Sequence, residues 1–254
     1  MAEQSKNIKR QSPARKREML SRGLIAGAML LASAVLFVLL FSLTLPWAAE
    51  AALSRGFRQG LNAKTVLADV KARSAWHLLM GKSESTELMM EFGDSGLLAL
   101  SLLRAKWGPG NDALGMIRRG KSGERYNGPE YAELYWDEGK LAAYLNRVQG
   151  EALISRVKIS KEQLELYGSI ALNGGRHNIY LAALPQSDDL GRVAFTALEW
   201  RAEGLVYSER LKERICETLS FEIDLSPLDW NIPACRVELS PGQMLVCGGL
   251  AIIE

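Results

Sequence analysis

The 254-residue chain has a nearly balanced charge and few of the residues that metal and redox sites use, with only two histidines and three cysteines. Seven of its basic residues and two of its acidic residues lie in the first 22 positions. Removing these from the totals of 31 and 29 leaves 24 basic and 27 acidic residues, a net charge of about −3 on the rest. A nucleic-acid-binding domain carries its cations on the folded part. The composition therefore argues against a nucleic-acid partner.

Residues 23–46 contain no charged side chain, and none occurs between Arg22 and Glu50. A run of this length is sufficient to cross a bilayer as a helix. Basic residues beside an apolar segment stay on the cytoplasmic side, and Trp favours the membrane interface. We therefore predict a basic cytoplasmic leader at 1–22 and a single transmembrane helix at 23–46. Trp47 would then lie at the outer interface, and the remaining chain outside the cytoplasm.

A cleaved signal peptide is the main alternative, because Ala49-Glu50-Ala51 has the small-x-small form of a processing site. The apolar core of a signal peptide is usually about 7–15 residues long, and this segment is longer. The length favours an uncleaved anchor, and a buried helix of a soluble protein is a third possibility. The first two interpretations both place the C-terminal domain outside the cytoplasm.

Beyond the apolar segment, residues 47–84 have a weak helical pattern and are predicted to form a helical stalk. Residues 85–254 are predicted to form a β-rich domain. Its clearest helix covers Glu138 to Val148, where Asp137 is a typical N-cap and apolar residues recur at helical spacing.

Several strand patterns follow that helix. Hairpins are predicted over 154–168 and 170–184. A strand is predicted over 193–202, and its apolar residues change face midway, which indicates either a bulge or a strand that is apolar on both faces. Ser208 can cap a second helix that ends near Leu219, and a closing hairpin turns at Ser240-Pro241-Gly242. Hairpins combined with two helices predict an antiparallel α+β or curved-sheet domain. A parallel fold would need a helix between successive strands.

The sequence contains no recognisable catalytic motif. His77 and His177 lie a hundred residues apart, and neither has a second ligand or base at a metal or triad spacing. The three cysteines, Cys216, Cys235 and Cys247, allow one disulfide or three buried thiols, and they contain no C-x-x-C pair. We therefore predict no catalysis, no metal and no cofactor.

The extended segments and the second helix contain many apolar residues. They form a protein core, or they line a dry groove for an acyl chain, since such sites need mostly apolar walls. Each methylene moved from water into such a lining gains about 0.8 kcal/mol. The groove candidates are Leu164, Leu166, Ile179, Leu181, Phe195, Leu198, Trp200, Leu211 and Ile215.

The order of elements from Trp136 onward resembles a known family. Asp137-Glu138-Gly139-Lys140-Leu141 opens a short helix before paired strands, and Gly204-Leu205-Val206-Tyr207 enters a second helix. The chain then has Ile232-Pro233, Val237-Glu238-Leu239, a turn, and Leu245-Val246-Cys247-Gly248. This pattern, over about the last 120 residues, resembles the LmeA-type family of phospholipid-binding bacterial envelope proteins and related membrane-anchored proteins of unassigned function.

The resemblance implies a curved, taco-like, double-layered sheet flanked by helices, with an apolar groove for lipid. It also implies the inner membrane of a bacterial cell as the location. The expected function is non-catalytic binding of a phospholipid or similar acyl-chain ligand. One rival is a structural or assembly module that presents the same sheet to an envelope partner protein. An envelope hydrolase is the other, and a cluster of carboxylates in a pocket would favour it.

Overall fold

The computed structural model describes residues 13–80, 82–93, 99–109, 129–172, 175–188, 191–206, 208–223, 225 and 234–249, with side chains from residue 25 onward except at 235. The chain divides into two compact units, residues 1–45 and 46–254. The composition of residues 108–128, rich in Gly, Asn and charge, favours a long loop, but of these residues 110–128 lie outside the described residues.

The first helix, α1, runs from Pro13 to Leu61 and contains Pro46. Its most apolar window has a mean hydropathy of 2.5 and is not buried at all. Because apolar side chains on such a helix need a nonaqueous environment, α1 is able to span a membrane. A signal sequence near an N-terminus has the same properties.

The prediction of a helical stalk over 47–84 is wrong after Leu61. Strand β1 covers Thr65–Lys71, and the short helix α2 covers Ala75–Leu79. The apolar residues at 66, 67 and 70 fit a helix as well as a strand, so the local pattern is ambiguous. Pairing with the neighbouring strand at Ser85–Glu91 decides between the two. Val66 and Val70 then face the interior while Leu67 is exposed.

In the described part of the chain, the larger sheet contains β1 and five further strands, namely β2 (Ser85–Glu91), β3 (Leu102–Trp107), β4 (Tyr131–Asp137), β9 (Ala234–Ser240) and β10 (Gln243–Gly248). The six strands are antiparallel and lie in the order β1-β2-β3-β4-β10-β9. The hairpin of β9 and β10 turns at Pro241-Gly242, where Gly242 has a positive φ of 77°. This confirms the predicted closing hairpin.

The smaller sheet has four antiparallel strands in sequence order, namely β5 (Ala152–Ile159), β6 (Leu164–Leu172), β7 (Gly175–Ser187) and β8 (Val193–Ala202). Strand β6 is continuous and pairs with both neighbours, whereas the sequence pattern divided it between two hairpins. Ala182 pairs with Glu199 and Ala183 with Ala197, which leaves Leu198 as an extra residue in β8. This confirms the predicted bulge.

Helix α3 (Glu138–Val148) connects the two sheets, and helix α4 (Glu209–Leu219) follows β8. Both predicted caps are confirmed. The backbone N–H of Lys140 donates to Asp137 Oδ1 at 2.8 Å, and that of Leu211 donates to Ser208 Oγ at 3.2 Å. A side-chain oxygen thereby satisfies an amide that lacks an intrahelical partner.

One hydrophobic core joins the inner faces of both sheets with α3 and α4. At its centre Trp136, Tyr144 and Phe221 meet edge to face, with ring centroids 5.2 to 6.4 Å apart, and Phe195 packs against Phe221. Across the described strands, neither sheet closes into a barrel. The predicted α+β fold, a long apolar N-terminal helix followed by antiparallel sheets and helices, is confirmed.

Candidate functional site

The structure places the nine groove candidates on β6, β7, β8 and α4. Leu198 is exposed at the bulge, and Leu211 is half-buried on α4. The other seven are exposed by 8% or less and belong to the hydrophobic core, namely Leu164, Leu166, Ile179, Leu181, Phe195, Trp200 and Ile215.

Strand register brings three of these residues into one row. Leu181 on β7 pairs with Leu166 on β6 and with Trp200 on β8. Among the described residues, the buried polar or charged set contains only Ser83 and Thr86, neither of which is ionisable at neutral pH. The interior between the sheets is therefore apolar, as an acyl-chain site requires, and side chains of the chain itself fill it.

Among the described residues, two backbone hydrogen bonds link the larger sheet to the smaller sheet or to the connection between β7 and β8. On one side the N–H of Gly242, in the β9–β10 turn, donates to the carbonyl of Ile159 at the end of β5, at 2.9 Å. On the other, the N–H of Ala234 donates to the carbonyl of Gly191 at 2.8 Å. Side-chain packing rather than a continuous ladder therefore holds the layers together.

A second candidate site lies on the outer face of the six-stranded sheet and centres on Glu133 of β4. The hydroxyls of Tyr131 and Tyr135 donate to its two carboxylate oxygens at 2.9 and 2.8 Å. Arg104 on β3 forms an ion pair with the same carboxylate at 3.6 Å, and its guanidinium lies over the Tyr135 ring. We call these four residues the Glu133 cluster.

The buried thiol of Cys247 adjoins this cluster, because the Tyr131 hydroxyl lies 3.4 Å from its sulfur. Burial, and then hydrogen bonding to Cys247 and Glu133, raises the pKa of Tyr131 far above its ordinary value. Burial and the bond to Glu133 also raise the pKa of Tyr135. Both phenols therefore stay protonated at physiological pH, which suits hydrogen-bond donation rather than general-base catalysis.

The Glu133 cluster borders a shallow cleft of about 460 Å³. Its charged walls come from four strands and include Asp69, Glu87, Arg104, Lys106 and Glu133, beside the apolar Leu67 and Met89. Sequence reasoning missed this site. Tyr131, Glu133 and Tyr135 alternate along one strand face, but Arg104 and Cys247 reach them only through strand pairing.

The end of α1 borders another cleft, of about 680 Å³, with Arg55, Arg58 and Lys64 on its walls. These side chains are exposed at the surface, and the cleft has no buried polar wall. The two histidines make local hydrogen bonds. His77 is hydrogen-bonded to Ser74, the N-cap of α2, and His177 to the backbone carbonyl of Glu203. Across the described part of the chain, no three metal-ligating side chains converge.

The cysteines are described in part. Cys216 on α4 is a half-buried free thiol, and burial raises its pKa. Cys247 is a buried free thiol, while the side chain of Cys235 lies outside the described residues. A raised pKa lowers the thiolate fraction, so Cys216 is a poor nucleophile.

Comparisons with known proteins give no relative: no family model, no curated protein and no solved structure matches this chain.

Proposed function

We propose that the chain is a single-pass membrane protein whose C-terminal domain lies outside the cytoplasm and binds a phospholipid or similar acyl-chain ligand without catalysing a reaction. The observation that supports it most is the largely apolar layer between two unclosed sheets, formed by β6, β7 and β8 against the core. The long apolar segment of α1, which is not buried in the protein, supports a membrane anchor. The basic residues that precede it support a cytoplasmic N-terminus.

An acyl chain would enter by displacing side-chain contacts between the layers, since the candidate residues pack against one another. Each methylene that it buried would recover about 0.8 kcal/mol. Separating the sheets in this way breaks few backbone hydrogen bonds, so it costs less free energy than opening a continuous strand ladder. This route predicts that lipid contacts β6, β7 and β8 from the inside rather than from the solvent face.

The test places the full chain in bilayer nanodiscs that contain a phospholipid with a photoactivatable diazirine near the end of one acyl chain. After illumination, mass spectrometry maps the labelled peptides. We expect label in 164–200 in addition to label in α1. Label confined to α1 would show an anchor without a lipid site and would overturn the proposal.

Two variants sharpen the mapping. Leu211→Asp places a carboxylate at a half-buried candidate position on α4, so it should reduce the label in 164–200 while the domain remains folded. Leu153→Asp places the same carboxylate at an exposed position on β5, outside the groove candidates, and serves as the control with unchanged label. Equal labelling of both variants would argue against a site under α4.

The second candidate function is a module that binds an envelope partner protein, and the Glu133 cluster with its cleft favours it. An ordered set of tyrosine, carboxylate and guanidinium groups on an exposed sheet face is suited to recognition. A photo-crosslinking amino acid at Leu67, which borders the cleft, should then yield one defined adduct in intact cells. Leu153 on the other sheet is the matched control, since the two side chains are exposed by 57% and 54%.

A further inference from the structure

The start of the C-terminal unit and the end of β1 lie side by side. The N–H of Val70 donates to the carboxylate of Glu50 on α1 at 3.3 Å. From Glu50 to Leu61 the helix advances by roughly 17 Å, and from Thr65 to Val70 the strand travels about the same distance back. Strand β1 therefore returns the chain to the end of the unit that directly follows the apolar segment.

Helix α2 comes immediately after β1 at this end, and its outer surface is apolar. Ser74 caps the helix by accepting from the N–H of His77, and Leu78 is buried beneath it. Trp76 is exposed by 67%, and Leu79 and Met80 are also exposed. Monomeric soluble proteins rarely leave adjacent large apolar side chains in water.

Trp47 marks the same end of the unit on α1. It is exposed by 72% and precedes Glu50 by three residues, less than one helical turn. In the sequence it directly follows Pro46, where the apolar run ends. Exposed tryptophans in this position are typical of a membrane–water interface.

The charges around α2 complement an anionic surface. Lys71, Arg73 and Lys82 are exposed on either side of the helix, and Glu84 is the one acidic residue between positions 71 and 84. Lys71 also pairs with Asp69 at 3.3 Å, which leaves Arg73 and Lys82 as the main cations facing outward. Basic residues beside apolar ones attract anionic lipid headgroups and hold the apolar side chains at their level.

We propose that α2 is a second, peripheral membrane contact, in which Trp76, Leu79 and Met80 insert into the headgroup region of a phospholipid bilayer. The inference rests on the anchor in the proposed function, because α1 delivers this end of the domain to the lipid. It adds a second point of contact between the domain and the membrane.

The test uses the full chain labelled with 5-fluorotryptophan in nanodiscs of mixed zwitterionic and anionic phospholipid. A nitroxide is attached to the lipid near its headgroup, and paramagnetic broadening of the six tryptophan ¹⁹F signals is measured. Single Trp→Phe variants assign the signals. We expect the Trp76 signal to broaden within about twofold of Trp47, while the buried Trp107 and Trp136 stay sharp.

Each outcome has a distinct meaning. Broadening of Trp47 without Trp76 would overturn the docking of α2 and leave the anchor intact. Broadening of neither would show that α1 does not reside in the bilayer, and the anchor in the proposed function would fail as well. If the Trp76 signal also broadens in nanodiscs without anionic lipid, the contact forms by apolar insertion and does not require anionic headgroups.

A matched pair of variants separates docking from nonspecific effects. Leu79→Asp places a carboxylate in the proposed contact, and Leu184→Asp places one on the four-stranded sheet, where the parent side chain is equally exposed, 40% against 41%. Leu79→Asp should reduce the broadening of Trp76 several-fold and leave Trp47 unchanged. Equal effects of the two variants would overturn the proposal.

Discussion

The side-chain amide of Asn146 bonds both backbone polar groups of Ile154. Its Nδ2 donates to the Ile154 carbonyl at 2.7 Å, and its Oδ1 accepts from the Ile154 N–H at 2.5 Å. Ile154 lies on β5, an edge strand of the four-stranded sheet, beside a register shift. An edge strand otherwise leaves such groups open to pairing with another chain. Helix α3 thus closes part of this edge through one residue.

Asn146→Ala should lower the free energy of unfolding of the domain by about 1–3 kcal/mol, because both backbone groups lose their partner. Asn146→Asp at pH 7 should cost as much, since a carboxylate cannot donate to the carbonyl. Urea unfolding of the full chain in nanodiscs measures both. Asn178→Ala, which removes an exposed side-chain bond to Glu203, is the control and should change stability by less than about 0.5 kcal/mol. A wild-type midpoint for Asn146→Asp would contradict the donor role.

Gly168 on β6 has no room for a side chain. A Cβ at this position would lie 2.3 Å from the Leu153 carbonyl oxygen and 2.9 Å from the Ile154 Cα, both backbone atoms. Gly168→Ala should therefore displace β5 and cost about 1–3 kcal/mol by overpacking. Gly150→Ala is the control, because nothing lies within 4 Å of its Cβ position. Equal unfolding midpoints for the two variants would show that β5 shifts without a loss of stability.

Elements with a local signal were predictable from the sequence, and those that depend on distant partners were not. Asp137 and Ser208 cap α3 and α4 as predicted, and the Pro241-Gly242 turn sets the closing hairpin. Strand β1 was mistaken for a helix because only its pairing with β2 distinguishes the two. The sequence pattern divided β6 between two hairpins, although neighbours on both sides keep that strand continuous.

The candidate sites show the same division. Apolar alternation placed most of the predicted groove residues on the inner side of the sheet, but it could not show how tightly they pack. It also missed that the bulge turns Leu198 outward. The Glu133 cluster needs Arg104, and the thiol beside it comes from Cys247, each brought to β4 by strand register alone. No spacing rule in the sequence connects positions that far apart.

The cap of α3 supports a prediction of its own, since Asp137 also joins the helix to the segment before β3. Its Oδ2 accepts from the Ser101 hydroxyl at 2.7 Å, and its backbone N–H donates to Ser101 Oγ at 2.8 Å. Asp137→Ala should cost about 1–2 kcal/mol of stability. Asp137→Asn keeps an acceptor for the Lys140 N–H and should cost less. Equal losses in urea unfolding would show that the charge, rather than the cap, stabilises the helix.

Glu133→Gln should weaken the outer-face cluster at neutral pH and change its behaviour in alkali. Loss of the charged acceptor for two tyrosine hydroxyls should cost about 1–3 kcal/mol. Burial and the bonds to Glu133 hold the pKa values of Tyr131 and Tyr135 above the ordinary value of 10.0. In the variant the pKa values of both phenols should fall toward that value.

The sign of the linkage follows from these raised pKa values. Below about pH 10 both phenols are protonated in the folded and unfolded chains, so they add no pH dependence. Above it the unfolded chain loses its phenolic protons first, and the stability of the wild-type domain falls as the pH rises. The fall should be shallower in Glu133→Gln. Tyrosinate absorbance at alkaline pH measures the pKa change, with Tyr131→Phe and Tyr135→Phe assigning the two phenols, and identical curves for wild type and Glu133→Gln would refute the coupling.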